Sequence, residues 1–472
     1  MSYEIEANYK EQWLFPPSLE DLLPAGHPAR LVREFIDAID LKALGFSSRS
    51  VDLGRPNYSA SLLTKVFLYG YMNRIRSCRA LERACMNEMG LLWLTGMNYP
   101  DHTTLWRFWN DNRAGIRKLF KQLLQVAMGA NLVGMVLHAI DGTKVLSQAS
   151  ESQGLHRGGL EKKLRKLDQA IEEILKQTEG AELGSVEQNQ LPAELQQRQQ
   201  LRELIQGQLK KLDEKHRDHL QPKDEDARVM KTASGNDFAY NAQAVVDQQS
   251  KLIVASDVVR DESDNAQLVA MIEQVEQNVG GVAEQTLADG GYFATVELAA
   301  AEDKKFSVLV NLPESVTGSP NQPYHASQFV YDKTKDHCIC PRGVALPFSS
   351  VRARDKARPY EVRVYRCATY ETCPVRWQCS ASKNGRTVHI HPNHDALVRQ
   401  REKLKDPAMR AKLKQRGGIV EAVFGWAKQV MGFWRWTVRG QDKVKTQWSL
   451  LCTAMNLWRL HRHWVTGRLR FA

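Results

Sequence analysis

Long apolar runs are missing from this chain. Its most apolar stretches, such as Val133–Ile140, fall far short of the ~20 residues that a membrane span needs, and the opening Met1–Lys10 has no apolar leader core. The expectation is a cytoplasmic protein with no membrane partner. Cysteine is also scarce, with 8 in 472 residues, too few for a secreted disulfide scaffold, so reduced thiols are expected. No internal repeat is found, which argues against a solenoid or propeller. Disorder is excluded for most of the chain by a hydrophobic content of 43%. At roughly 100–200 residues per domain, a chain of this length holds two to four domains.

Acidic residues are scarce in one place above all. The whole chain has 65 Lys+Arg against 54 Asp+Glu, a net charge of +11. Between Arg399 and Ala472 there are 17 basic residues and four acids (Glu402, Asp406, Glu421, Asp442), a local +13, so the rest of the chain sums to −2. A near-neutral body with one strongly basic end suits a polyanionic partner, because clustered Lys and Arg release condensed counterions from phosphates. Trp426, Phe433, Trp434, Trp436 and Trp448 are interleaved with Lys428, Arg435, Arg439, Lys443 and Lys445. Such aromatics stack on bases or serve as buried helix anchors, and the sequence leaves both open.

The periodicity changes along the chain. Residues 1–130 read as a helical domain, with apolar positions at helical spacing in Leu62–Gly70 and Leu81–Met89 and breaks at Gly54–Asn57 and Asn98–Asp101. Asp101 or Thr103 is placed to cap the helix that follows. The run Met135–Ile140 predicts a buried strand whose C-terminal end presents Asp141. Leucines and isoleucines in steps of three and four predict a helical hairpin over 158–218. A β-hairpin (Phe238–Asp247, Lys251–Asp257), a helix over 264–279, a strand at 285–288, a helix near 295–302 and a strand at 306–311 complete a mixed α/β pattern. A cysteine-rich segment occupies 325–395, and basic helices run over 417–472.

Three acids stand out. Asp141-Gly-Thr and Asp289-Gly-Gly each follow an apolar strand, and glycines there let a metal or phosphate approach the backbone. Either alone is equally well an ordinary Asp-Gly turn. Glu421 stands nearly alone in the basic end, on a helix whose other face is Val420, Val423, Phe424 and Ala427, with Lys428 two turns further on.

These motifs resemble the DDE-type insertion-sequence transposases. The resemblance is carried by Asp141-Gly-Thr, Ala288-Asp289-Gly-Gly-Tyr292 and Val420-Glu421-Ala-Val-Phe-Gly-Trp-Ala-Lys428, at intervals of 148 and 132 residues. Smaller matches include Tyr240-Asn-Ala-Gln243, Arg439-Gly440 and Asn456-Leu457, and in the helical part Gly54-Arg-Pro-Asn-Tyr58, Ser77-Cys-Arg79 and Pro100-Asp-His-Thr-Thr-Leu-Trp-Arg107. Upstream of the glutamate this chain departs from the family: Lys414 replaces a Tyr, Gly417 replaces an Arg, and Arg416 lies one position early.

The resemblance implies a ribonuclease-H-like α/β core, a mixed sheet flanked by helices, occupying 131–472 and interrupted by the helical hairpin and the cysteine-rich insertion. A helical DNA-binding domain (1–130) would precede it. Asp141, Asp289 and Glu421 would hold two Mg²⁺ ions, with Mn²⁺ able to substitute, for strand cleavage and strand transfer at the ends of a mobile element. Lys428 would touch the DNA backbone, with Arg416, Arg435 and Arg439 as further contacts. The partners implied are double-stranded DNA, both element ends and target, and further copies of the chain, at least a dimer, in a nucleoid-associated complex. A non-catalytic DNA-binding derivative is the alternative.

Five of the eight cysteines lie between Cys338 and Cys379. Cys340, Cys367, Cys373 and Cys379 are the set expected to close a structural Zn²⁺ site, with His337, His389 and His391 as substitutes and plain reduced thiols as the alternative. Some relatives of this transposase type carry a similar insertion.

Overall fold

The computed structural model describes residues 18–47, 57–180, 191–318, 322–353 and 360–471. The expected break at Gly54–Pro56 and the opening segment lie outside them. The chain is mixed α/β and divides into two compact units, Met1–Leu132 with Thr446–Ala472, and Val133–Lys445.

The first unit is helical, with helices at Pro28–Asp37, Ala60–Met72, Cys78–Asn87, Met89–Thr95, His102–Asp111 and Arg113–Gly129. Polar residues start them: Ser59 and Ser77 accept backbone N–H bonds from Leu62 and Ala80, and Asp101 accepts from Thr103 and Thr104 at 2.9 Å. Leu31, Val32, Phe35, Val66, Leu81, Leu105, Leu119 and Leu123 are buried at helical spacing and form its core. The chain from Thr446 onward packs into the same unit, where Gln447 donates to the Tyr71 hydroxyl at 3.1 Å and the Trp458 indole donates to the Met72 carbonyl at 2.7 Å.

The strands of the second unit are β1 (Leu137–Leu146), β2 (Leu155–His156), β3 (His219–Leu220), β4 (Arg228–Thr232), β5 (Gly235–Asp247), β6 (Ile253–Val259), β7 (Gln285–Ala288), β8 (Val308–Val310), β9 (Val330–Asp332), β10 (His337–Ile339), β11 (Ala345–Arg352), β12 (Val362–Arg366) and β13 (Thr387–Ile390). The main sheet runs β4-β5-β1-β7-β8, with β6 also on β5. β1, β5 and β6 are antiparallel neighbours, while β1, β7 and β8 are parallel. The parallel half has buried Leu287, Ala288, Val308, Leu309 and Val310, as expected where crossover helices such as Thr295–Asp303 cover a sheet.

The sequence predicts that the first strand ends at Ile140. β1 instead runs through Asp141 to Leu146, because β5 pairs with it residue for residue from His138↔Asp247 to Leu146↔Ala239. Between β2 and β3 the helices Arg157–Gly180 and Leu191–Glu214 pack on each other around Leu160, Ile205 and Leu212, with Arg202 paired to Asp168 at 2.6 Å. A separate five-stranded sheet, β13-β12-β11-β10-β9, is antiparallel throughout and covers a small core of Phe329, Cys338, Leu346, Tyr365, Val388 and Ile390. Helices at His394–Lys405, Pro407–Lys414 and Arg416–Gly425 follow, the last laying Ile419, Val420, Val423 and Phe424 against β1 and β5. Among the described residues no helix is long and apolar enough to cross a membrane.

Candidate active site

β1 and β7 pair in parallel at Leu137↔Gln285, His138↔Thr286 and Ala139↔Leu287. That register offset, 148 residues, equals the interval between Asp141 and Asp289, so both aspartates stand two residues past the last pair of the same ladder. Asp289 caps the short turn Gly290–Tyr292 by accepting the Gly291 N–H at 2.9 Å. Asp141 accepts the Gly142 N–H at 2.7 Å. A side chain at Gly142 would press on the polar ends of Gln243, Asp264 and Asn241, so glycine there leaves that cluster undisturbed.

The helix Arg416–Gly425 brings in the third acid. Its first residue, Arg416, donates to the Asp141 carboxylate at 2.9 Å and lies 3.6 Å from the Glu421 carboxylate. Arg416, Gly417 and Glu421 line one cavity of about 470 Å³ with Asp289, Asn311, Arg410 and Lys414. Arg416 thus links Asp141 to Glu421, Glu421 and Asp289 line one cavity that Arg410 and Lys414 rim with positive charge, and Asp141 is close enough to Asp289 to feel its charge. Burial raises the Asp141 carboxyl above its ordinary range, Arg416 opposes that, and the charge of Asp289 adds to it.

A fourth carboxylate stands beside them that the sequence reading missed. Asp264, in the loop after β6, accepts hydrogen bonds from the side-chain amides of Asn241 and Gln243 at 2.6 Å each and pairs with Lys144 at 3.2 Å. A side chain on Gly291 would touch both Asp289 and Asp264. The Gln243 oxygen in turn accepts the buried Tyr292 hydroxyl, whose pKa is pushed well up by burial and by the charges of Asp264, Asp141 and Asp289. Two amides buried in β5, at alternating positions, were the available signal, since buried polar groups require partners.

After Gly425 the helix widens into a π-turn at Trp426–Val430 that carries Lys428. The Lys428 ammonium sits 5.6 Å over the Trp434 ring, and its pKa is lowered by burial, with a contribution from Lys144. Arg435 is turned to other use: its guanidinium donates to the Ser147 carbonyl at 2.7 Å and the Ala149 carbonyl at 3.4 Å. Arg439 bonds the Gln148 side chain. Of the interleaved aromatics, Phe433, Trp436 and Trp448 are fully buried, and Trp434 is 46% exposed.

Cys340, Cys367, Cys373 and Cys379 line one cavity beside the five-stranded sheet, whereas Cys338 is buried in that sheet's core. All of them are free thiols. Among the described residues, no three His, Cys, Asp or Glu side chains form a group able to hold a metal ion as they stand.

Comparison with known proteins gives two matches. The family model described as "Transposase DDE domain" matches residues 339–461, and the one described as "Transposase domain (DUF772)" matches residues 17–111. No curated protein matches the chain.

Proposed function

The chain is an insertion-sequence transposase of the DDE type, and from that premise we propose that it cuts and rejoins DNA by Mg²⁺-dependent phosphoryl transfer with Asp141, Asp289 and Glu421 as the catalytic acids. The observation that carries this reading is that Arg416 bridges Asp141 and Glu421 while Asp289, level with Asp141 on the neighbouring strand, shares a basic-rimmed cavity with Glu421. The strand order β6-β5-β1-β7-β8, antiparallel on one side of β1 and parallel on the other, supports a ribonuclease-H-like core.

The donor set suits a hard divalent cation. All the groups offered are carboxylate oxygens, Asp141 and Asp289 repel each other, and a cationic guanidinium now lies between Asp141 and Glu421. When bound, Mg²⁺ or Mn²⁺ would supply charge neutralisation at the phosphate and activation of the attacking oxygen for in-line displacement. Asp141, Asp289 and Glu421 would hold that cation in the place of the Arg416 guanidinium, which would then be available to a phosphate oxygen. Arg410 and Lys414 approach the DNA backbone from the rim, Lys428 does so from beside Trp434, and Trp434 offers an exposed ring to an unstacked base. Sequence is read by the helical N-terminal unit, and two element ends are brought together by at least two copies of the chain.

The test uses a labelled element end and purified full-length protein. Asp141→Ala, Asp289→Ala and Glu421→Ala should each abolish Mg²⁺-dependent cleavage and joining of a pre-cut end, while mobility-shift binding stays within a few-fold of the parent. Cleavage by any single variant would show that the wrong carboxylates were chosen. Binding without cleavage by the parent would favour the non-catalytic DNA-binding reading.

A further inference from the structure

We propose that Cys340, Cys367, Cys373 and Cys379 form a tetrathiolate site for a structural zinc ion that staples the five-stranded sheet. The four thiols come from separate turns, yet all line one cavity of about 190 Å³. Cys340 opens the tight turn Cys340–Gly343, closed by the Gly343 N–H to the Cys340 carbonyl at 2.8 Å, with Gly343 at φ +80°. Cys367 follows β12 and is tied to the Arg386 carbonyl at 3.0 Å, ahead of β13. Cys373 and Cys379 flank one turn of helix, in which Arg376 donates to the Cys373 carbonyl and Cys379 to the Val375 carbonyl. Cys338 is two residues from Cys340 but packs into the sheet core, away from the cavity.

The charges around the sulfurs are the second observation. The Arg342 guanidinium donates to the Cys373 sulfur at 3.5 Å. Arg386 lines the same cavity and has a buried Nε with no hydrogen-bond partner. Arg386 also donates to the Cys379 carbonyl at 3.3 Å and lies 5.6 Å from the Phe329 ring centroid, which fixes it beside the sulfurs. Four thiolates around Zn²⁺ carry a net charge of about −2, which two arginines balance.

As they stand the four sulfurs line the cavity without being gathered into a ligand sphere, so zinc would have to draw them together. Binding zinc releases their protons to solvent and forms four Zn–S bonds with no change of oxidation state.

The sheet needs such a staple. Its buried core is six side chains, thin for a module of this size, and small modules with thin cores are commonly held by a metal or by disulfides. A closed single-ion site serves that purpose and asks for no redox partner.

The test is metal analysis of the full-length protein purified without chelator or affinity metal. About one zinc per chain is expected, lost in Cys373→Ser and Cys379→Ser and retained in Cys78→Ser, whose thiol is in the helical unit. Because a variant that loses zinc can also unfold, the parent is stripped and refilled with Co²⁺, which should give the intense visible d–d absorption and thiolate charge-transfer bands of tetrahedral CoS₄. Zinc should also protect four thiols from alkylation. A metal-free protein, iron with acid-labile sulfide, a disulfide among these cysteines, or full zinc content in the Cys373→Ser/Cys379→Ser double variant would each overturn the proposal.

Discussion

Arg416 is the residue whose removal separates the electrostatics of the site from its chemistry. Its ion pair with Asp141 spans 2.9 Å, with the two side chains 17% and 18% exposed. Arg416→Met keeps the stem and leaves Asp141 without its cation. Breaking a buried pair costs about 3–5 kcal/mol. The loss is capped, because the carboxyl can escape by taking up a proton. Protonating a group of ordinary pKa 3.8 at neutral pH costs about 4 kcal/mol, at ~1.4 kcal/mol per pH unit. The expected destabilisation is therefore about 2–4 kcal/mol at neutral pH, or about 5–10 °C in Tm for a unit of this size.

Its pH dependence has a definite sign. The Asp141 carboxyl is already raised by burial against the pull of Arg416, and it rises further in the variant. A carboxyl raised in the folded state contributes stability below its unfolded value and loses it as pH climbs through its folded value. The variant's deficit should be full at neutral pH and should close as pH falls toward about 4. Added Mg²⁺ should stabilise the variant more than the parent, because the parent must first release a guanidinium from the acids. Thermal denaturation of the full chain across pH, with and without Mg²⁺, measures all three quantities. An unchanged Tm at neutral pH, a pH-independent deficit, or a smaller Mg²⁺ response than the parent's would refute the reasoning.

Two further outcomes follow from neighbouring groups. Asp264→Asn keeps the shape of the side chain and removes the charge that Lys144, Asn241 and Gln243 attend, so cleavage should fall roughly 10–100-fold with DNA binding retained, measured on the same labelled end. Cleavage at the parental rate would reduce Asp264 to a packing role. Trp436→Ala should cost about 3–5 kcal/mol, because its ring is fully buried and its indole donates to the Val145 carbonyl at 3.1 Å. Trp434→Ala should leave stability within about 0.5 kcal/mol and weaken DNA binding by about 1–3 kcal/mol. The reverse pattern in denaturation and mobility-shift assays would mean that the two rings have been misassigned.

Much of the second unit's secondary structure is legible because its signals are local. Phe238–Asp247 and Ile253–Val259 are β-rich runs separated by a short polar turn, as in a hairpin, and Gln285–Ala288 is a short apolar run bounded by polar residues. The end of β1 is not legible, since Asp141-Gly-Thr-Lys reads as a turn in isolation. Only its pairing with Asn241–Ala244 makes it strand, and that partner lies about a hundred residues away across the helical hairpin. The fate of the C-terminal aromatics is hidden for a similar reason. Burial of Trp436 and exposure of Trp434 depend on which face of an irregular segment meets Val145 and Leu146.

The site divides along the same line. Asp141, Asp289 and Glu421 could be named because each sits in a local motif, and the interval of 148 residues turned out to be a strand register. Asp264 could not, because it stands in the acidic loop Arg260-Asp-Glu-Ser-Asp264, where any carboxylate looks like a solvated one. Its mark lies elsewhere, in Asn241 and Gln243, two amides on one face of a strand whose middle, Phe238–Val246, is otherwise apolar or aromatic. Amides buried at alternate positions of a core strand cannot be left unpaired, so they imply an acceptor pinned over that face. Here the acceptor is a carboxylate lying between Lys144 and the Asp289 turn. A strand that carries a candidate site of this kind is better recognised by the polar residues buried beside it than by the acids it displays.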